Sequence, residues 1–393
     1  MAGKYQIISA DSHLEASPDS WTHWVPAKWR DQAPHLVRLE NGRDAIVMGG
    51  RPPALLSAQG VRHLIPNVPR DQLHLQIPTF DNAAGAGGPE QRLSEQDQDG
   101  VDAEVLFTRV QNLRQLKDAE GSLALLHAFN QYLAEEYMAV APDRLIPLGV
   151  LPTSGVDHAI NEMEYCAEAG MKGVILDRFP SGRGYPTPED DRFWAASLDL
   201  RMPLTSHTSG GTTRMTRSGE PTFNYTKGVE MDADGTPTSD PMRDWMFRFC
   251  GDAACAPVQM AFAGVFDRFP ALQLYWGETM AGWIKYALFQ IDDHYDRFKH
   301  MAAYQYGLEP PKRPLSEYLR DHNLWGFLLD PIGVEDRDAV GSDKLLWGSD
   351  FAHLASDWPD SSRTIELNFA GVPEDERYMM LAGNAIRFFH LDD

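Results

Sequence analysis

Tyr5-Gln-Ile-Ile-Ser-Ala-Asp11-Ser-His13-Leu-Glu15 begins with a short apolar run and ends in an Asp, a His and a Glu at alternate positions. Side chains alternate faces along an extended chain, so Asp11, His13 and Glu15 are expected to point the same way beyond the end of a buried strand. A carboxylate, an imidazole and a carboxylate in one small volume suit a divalent transition metal. The same residues also fit a strand end with two solvated acids and a satisfied histidine, and the stretch alone does not separate the two. It does bear on the fold. An open doubly wound sheet carries a Gly-rich phosphate turn after its first strand, and Asp11-Ser-His13-Leu-Glu15 contains no glycine.

Further along, short apolar runs alternate with helical patterns. Strands are expected at 103–108, 145–151, 173–177, 202–207, 272–278 and 345–350, with a weaker one near 325–328. Helices are expected at 119–140, 155–169, 188–200, 239–268 and 280–299, with a closing helix around 385–389. With the first strand this makes eight parallel units, the pattern of a closed (β/α)8 TIM barrel of the α/β class. Residues 1–393 then form a single domain. Residues 30–98, broken by Pro52, Pro53, Pro66, Pro69 and Ala83-Ala-Gly-Ala-Gly-Gly-Pro89, are expected to be a covering insertion or lid.

The composition narrows the partners. The formal charge of -22, from 35 basic and 57 acidic residues, disfavours nucleic acid and anionic membrane surfaces. The opening lacks a signal-peptide layout, and no apolar run approaches a membrane span. Cys166, Cys250 and Cys255 show no C-x-x-C spacing, which points to reduced thiols and the cytoplasm. A small-molecule substrate is expected, and homo-oligomerisation stays open.

Functional groups of a barrel collect at the carboxyl ends of its strands. Asp11, His13 and Glu15 end the first strand, His207 the fifth, Glu278 the sixth and Asp350 the eighth, with His353 three residues on. Each alone fits a cap or a core group; together they mark a metal site. Arg109, Arg114, Arg178, Arg183 and Arg214 on the same side are candidates for gripping a carboxylate or phosphate. Tyr275, Trp276 and Trp283 are placed near the mouth, as lining for a large apolar substrate.

The chain resembles the amidohydrolase superfamily in its amidohydrolase 2 branch. The resemblance rests on Asp11-Ser-His13, Ser206-His207-Thr208, Trp276-Gly-Glu278 with Ala281-Gly-Trp283, Trp347-Gly-Ser-Asp350-Phe-Ala-His353 and Gly383-Asn-Ala385. It implies Asp11, His13, His207 and Asp350 as metal ligands. The decarboxylases of that branch carry an acid/base histidine three residues before the strand-six Glu, where this chain has Tyr275. The Asp11/His13/Glu15 and Asp350/His353 pattern also resembles a non-haem diiron monooxygenase clade on the same barrel, typified by the diterpenoid hydroxylase of platensimycin and platencin biosynthesis.

Three histidines and four carboxylates exceed what one catalytic zinc takes. That number suits two iron or manganese ions but does not by itself separate an oxygenase from a hydrolase; the resemblance to the diiron clade implies a monooxygenase that hydroxylates a bulky, terpenoid or coenzyme A-linked substrate with dioxygen, and this is the expectation. Its two Fe ions would be held by Asp11, His13, His207, Glu278, Asp350 and His353, with Glu15 as a further ligand, and an external donor would supply electrons. The alternative is a hydrolase or decarboxylase with a Zn or Mn centre, in which Asp350 moves protons.

Overall fold

The structure is a computed structural model that describes residues 4–392 apart from 41, 50–52, 56–78, 82, 109–112, 114, 115, 117, 184, 208–251, 307, 308 and 354. Eight parallel barrel strands are present, in chain order: β1 (Ile8–Leu14), β5 (Ala103–Thr108), the pair β6 (Leu145–Pro147) and β7 (Gly149–Val150), β8 (Val174–Ile175), β9 (Leu204–His207), β10 (Leu274–Gly277), β11 (Asn323–Phe327) and β12 (Leu345–Trp347). β6 and β7 are two halves of one strand. At Leu148 the chain turns from β5, where its N–H donates to Leu106 O at 3.1 Å, to the β8 side, where Gly149 N–H donates to Gly173 O at 2.9 Å.

The barrel closes between β1 and the segment after β12. Asp350 N–H donates to Asp11 O at 2.8 Å, and His13 N–H donates to Phe351 O. Ser349 N–H donates to Ser9 Oγ at 2.9 Å, and the hydroxyls of Ser9, Ser12 and Ser349 lie within 3.1 Å of one another. Glycine at 348 allows this approach, because a Cβ there would stand 2.6 Å from Asp11 Cβ and 3.0 Å from its backbone. The two acidic–histidine stretches that are farthest apart in sequence are thus hydrogen-bonded neighbours.

Trp-Gly recurs on three successive strands, as Trp276-Gly277, Trp325-Gly326 and Trp347-Gly348. Alternation along a strand puts the two members on opposite faces. The indoles are fully buried, and Trp276 stacks on Trp325 with centroids 6.4 Å apart. The glycines face the barrel interior and leave room there.

Several helices match the sequence pattern closely, among them Val156–Glu168 and Asp191–Asp199. The expected long helix at 239–268 does not run through its described part. It is divided into Cys255–Phe262 and Val265–Arg268 by Gly264 at φ 66°, a left-handed conformation that ends a helix. Residues 239–251 of that expectation lie outside the described residues. Within 30–98, β2 (His35–Arg38), β3 (Asp44–Val47) and β4 (Ala54–Leu55) form a small antiparallel sheet, and Pro89–Asp99 is a helix leading into β5. No described helix is long and apolar enough to cross a membrane.

Candidate metal centre

The site begins with a bulge. β1 pairs with β5 in register at Ser9, loses register, and regains it at Ser12. Bulges re-aim side chains beside functional sites, and here the re-aimed residue is Asp11, wholly buried next to His13. His207 enters from the end of β9, and Glu278 and Asp350 from the residues just beyond β10 and β12. Glu278 and Asp350 adopt left-handed conformations, with φ of 54° and 52°. Non-glycine residues pay for such φ values in backbone strain, and they cluster at functional sites.

Nε2 of His13 is 3.4 Å from Asp11 Oδ1 and 3.0 Å from Asp350 Oδ1. Nε2 of His207 is 3.5 Å from Asp11 Oδ1 and 3.5 Å from Glu278 Oε2. His353 donates its Nδ1–H to Asp350 Oδ1 at 2.8 Å, and its ring stacks on His13 with centroids 3.7 Å apart. Two overlapping groups, Asp11–His13–His207 and His13–Asp350–His353, each place their ligand atoms within 4.8 Å of one another. Gly277 supplies the floor, since a Cβ there would lie 3.1 Å from His207, 3.2 Å from Phe107 and 3.3 Å from Asp11.

Both oxygens of Asp11 and Nε2 of His13 are buried and have no hydrogen-bond partner among the described residues. They face each other and the neighbouring groups at ion-pair distance without hydrogen-bond alignment. Such atoms are costly in a dry interior unless a cation or a proton compensates them. The donor set of mixed nitrogen and oxygen therefore fits a divalent metal. Without one, protons carry the compensation. Burial raises the Asp11 carboxyl, but the imidazoles of His207 and His13 outweigh it and hold the pKa down to about 2. Burial lowers His13, but its contacts with Asp11 and Asp350 prevail and lift it to about 9. Burial likewise raises Asp350, and His13 and His353 bring it well below the usual carboxylate range.

The other predicted residues are placed differently. Glu15 follows the end of β1 and belongs to neither ligand group. Tyr275 and Trp276, expected at the mouth, are wholly buried. Trp276 donates its indole N–H to Asn323 Oδ1 at 2.7 Å, on the helix side of the sheet. Tyr275 lies inside the barrel among Phe107, Phe388 and Phe389. Residues alternate faces, so Trp276 and Gly277 cannot both line the site, and a bulky side chain at 275 sits one level below the mouth. Trp283 is half-buried and donates to Thr279 O at 2.8 Å, while Arg178 is exposed. Arg109, Arg114, Arg214 and the loop after His207 lie outside the described residues. Asn384 of the Gly-Asn-Ala motif is not at the site at all; it donates to Ser342 O and Leu345 O at 2.8 and 2.7 Å and pins the start of β12. Sequence reasoning missed Arg92 and Glu104, a buried ion pair behind the ligands. Only the presence of charge inside otherwise patterned elements signals them.

The sequence family described as Amidohydrolase matches residues 19–391. The chain belongs to this family. Among curated proteins it is similar to gamma-resorcylate decarboxylase of Rhizobium sp. strain MTP-10005, 24% identical over 319 residues, covering 77% of this chain and 86% of that one. Among solved structures, an amidohydrolase of Mycobacterium avium subsp. paratuberculosis superposes with a TM-score of 0.72 at 18% identity, covering 99% of this chain and 100% of that one. The 5-carboxyvanillate decarboxylase of Novosphingobium aromaticivorans, complexed with manganese, gives a TM-score of 0.62 at 16% identity, covering 98% and 96%.

These relatives overturn the diiron monooxygenase and with it the oxidoreductase class. Two of these three are named decarboxylases. They also overturn the two Fe ions, because the neighbour holds manganese. A physical reason for the over-count is visible in the site. Both ligand groups draw on His13, whose Nε2 faces Asp11 and Asp350 alike, and one nitrogen lone pair serves one cation. A count of acids and histidines at strand ends cannot see that sharing.

Proposed function

We propose that this protein is a metal-dependent decarboxylase of an aromatic carboxylic acid, with Asp11, His13, His207 and Asp350 holding one divalent cation, manganese by analogy with the neighbouring structures. The observation that carries the proposal is that Asp11, His13 and His207 bring their ligand atoms within 4.8 Å of one another, with the Asp11 oxygens and His13 Nε2 buried and without a hydrogen-bond partner among the described residues. The similarity to decarboxylases of hydroxylated benzoates supports the reaction and the substrate class.

When bound, the cation supplies a Lewis acid that neutralises and orients the substrate's carboxylate. The chain's own residues then manage a proton. The ring carbon that bears the carboxylate takes up one proton, the bond to the carboxyl carbon breaks, its electron pair restores the aromatic ring, and CO2 leaves. We assign Asp350 the passing of that proton: His13 and His353 keep it deprotonated at rest, so it acts as a relay, taking a proton from His353 as it delivers one to the ring carbon. His353 holds it through Nδ1 at 2.8 Å and is the neighbour from which it takes a proton. Burial and the nearby Asp11 carboxylate push the Tyr275 phenol well above its ordinary value, so the phenolate left by giving up its proton is disfavoured and the transfer falls to Asp350 and His353. Glu278 closes the cluster beside His207.

The test is to strip the protein of metal, reload it with Mn2+ and offer a panel of hydroxybenzoates and carboxyvanillates. Loaded protein should release CO2 and the corresponding phenol, and His207→Ala should not. Turnover that persists undiminished in the stripped protein, or in His207→Ala, would refute the proposal.

A further inference from the structure

Arg92 projects from the helix Pro89–Asp99 and is 1% exposed. Its guanidinium makes four hydrogen bonds. Nε and Nη2 donate to the two oxygens of Glu104 on β5 at 2.6 and 3.0 Å, a paired contact. Nη1 donates to His13 O at 2.9 Å, and Nη2 also donates to Phe351 O at 3.2 Å. The guanidinium plane lies over the Phe351 ring, 4.5 Å from its centroid. Gly85 closes over it from the covering stretch, and a Cβ there would come within 3.0 Å of Nη1.

The two carbonyls are not arbitrary. One belongs to His13, and the other to the residue after Asp350. Phe351 O also accepts the His13 N–H across the barrel seam. Arg92 therefore ties together the backbones that present His13 and Asp350, the two side chains whose Nε2 and Oδ1 stand 3.0 Å apart. A buried ion pair is weak evidence for stability, since well-packed apolar residues often do as well. An apolar pair could fill this space, but it could not bond two carbonyls on different strands. Only a planar fork of several donors reaches Glu104, residue 13 and residue 351 together.

From this geometry we infer that Arg92, anchored by Glu104, is a positioning residue that sets the spacing of His13 and Asp350 for the cation. The inference rests on the metal-ligand assignment proposed above, and it makes the helix before β5 part of the functional apparatus.

The test reads Mn2+ affinity from the electron paramagnetic resonance signal of free Mn2+, alongside thermal melting, with no turnover required. Arg92→Lys keeps the charge and loses the fork. Glu104→Gln keeps the shape, leaves Arg92 in place and weakens its anchor. Gln91→Ala is the control, because Gln91 on the same helix donates to Glu95 Oε1 at 2.8 Å and to Ala83 O at 3.3 Å and bonds neither Arg92, Glu104 nor a ligand segment. Arg92→Lys should weaken Mn2+ binding about 10- to 100-fold, the usual cost of losing a group that orients a metal ligand. Glu104→Gln should weaken it less and in the same direction, and Gln91→Ala should bind Mn2+ as the wild type does whatever its melting temperature. Folded Arg92→Lys or Glu104→Gln protein with wild-type Mn2+ affinity would overturn the positioning role and leave the metal site standing. A wild type that does not bind Mn2+ would overturn the metal assignment and the positioning role with it.

Discussion

The seam between β1 and β12 and the corner between β9 and β10 contribute to the same site by different means. At the seam, Asp11, His13 and Asp350 sit on backbones joined by Asp350 N–H to Asp11 O, His13 N–H to Phe351 O, a serine cluster and the Arg92 guanidinium. At the corner, His207 and Glu278 meet side chain to side chain at 3.5 Å. The backbone beyond Glu278 is fixed from a distance. Thr279 N–H donates to Gly326 O at 3.1 Å, and Asp330 accepts from Ala281 and Gly282 N–H at 2.6 and 2.9 Å. One half of the site is a braced frame for ligands. The other holds His207 on the β9–β10 ladder, opposite Gly277, and Glu278 by the turn that follows it, and this division explains why Ala281-Gly-Trp283 reads as a motif although it carries no proposed ligand.

Damage to the frame is expected to be the more severe. Asp11→Asn or Asp350→Ala should remove Mn2+ binding, because each deletes a charged ligand from a buried cluster that has no substitute; equilibrium dialysis against Mn2+ would show it. Gly348→Ala should follow, with a destabilisation of roughly 1–3 kcal/mol from overpacking against Asp11, read from denaturant unfolding. Gly277→Ala meets side chains at 3.1–3.3 Å instead of backbone at 3.0 Å. It should fold with near-wild-type stability and lose activity mainly through a lower kcat. An equal stability loss at the two glycines would erase the distinction between frame and corner.

The frame should also respond to pH. His13 rises from 6.5 to about 9 in the metal-free fold, so the stabilisation it gives is fully present below 6.5 and is lost as pH climbs through about 9. A bound cation needs the neutral imidazole and displaces that proton. Melting temperatures of the metal-free protein should therefore fall across this window, and those of Mn2+-loaded protein should hold. A flat metal-free profile would contradict the assigned contacts of His13. The smallest effect is expected at Tyr275→Phe. The phenol oxygen has no hydrogen-bond partner among the described residues, so its removal should change stability by less than about 1 kcal/mol and leave turnover in place. A large loss of turnover would return Tyr275 to the chemistry.

The barrel was legible because its strands are short apolar runs, and four of them end in a polar group with no business in a core. Asp11, His13, His207, Glu278 and Asp350 all announce themselves in that way. Geometry below the level of the strand end was not legible. The bulge at Asp11, the left-handed turns at Glu278 and Asp350 and the sharing of His13 by two acids leave no mark on residue type. Tyr275 and Trp276 were misplaced for a related reason, since alternation gives relative faces but not depth within the barrel. Arg92 and Glu104 escaped notice because their meaning depends on His13 and Phe351 being neighbours, which only the closed barrel makes them.

The most direct test of the central claim is CO2 release from a hydroxybenzoate by Mn2+-loaded protein with dioxygen and reductant rigorously excluded. The account predicts one CO2 and one phenol per substrate at an undiminished rate. Product that forms only when dioxygen and reductant are supplied would contradict it and restore an oxidative reaction at the same ligands.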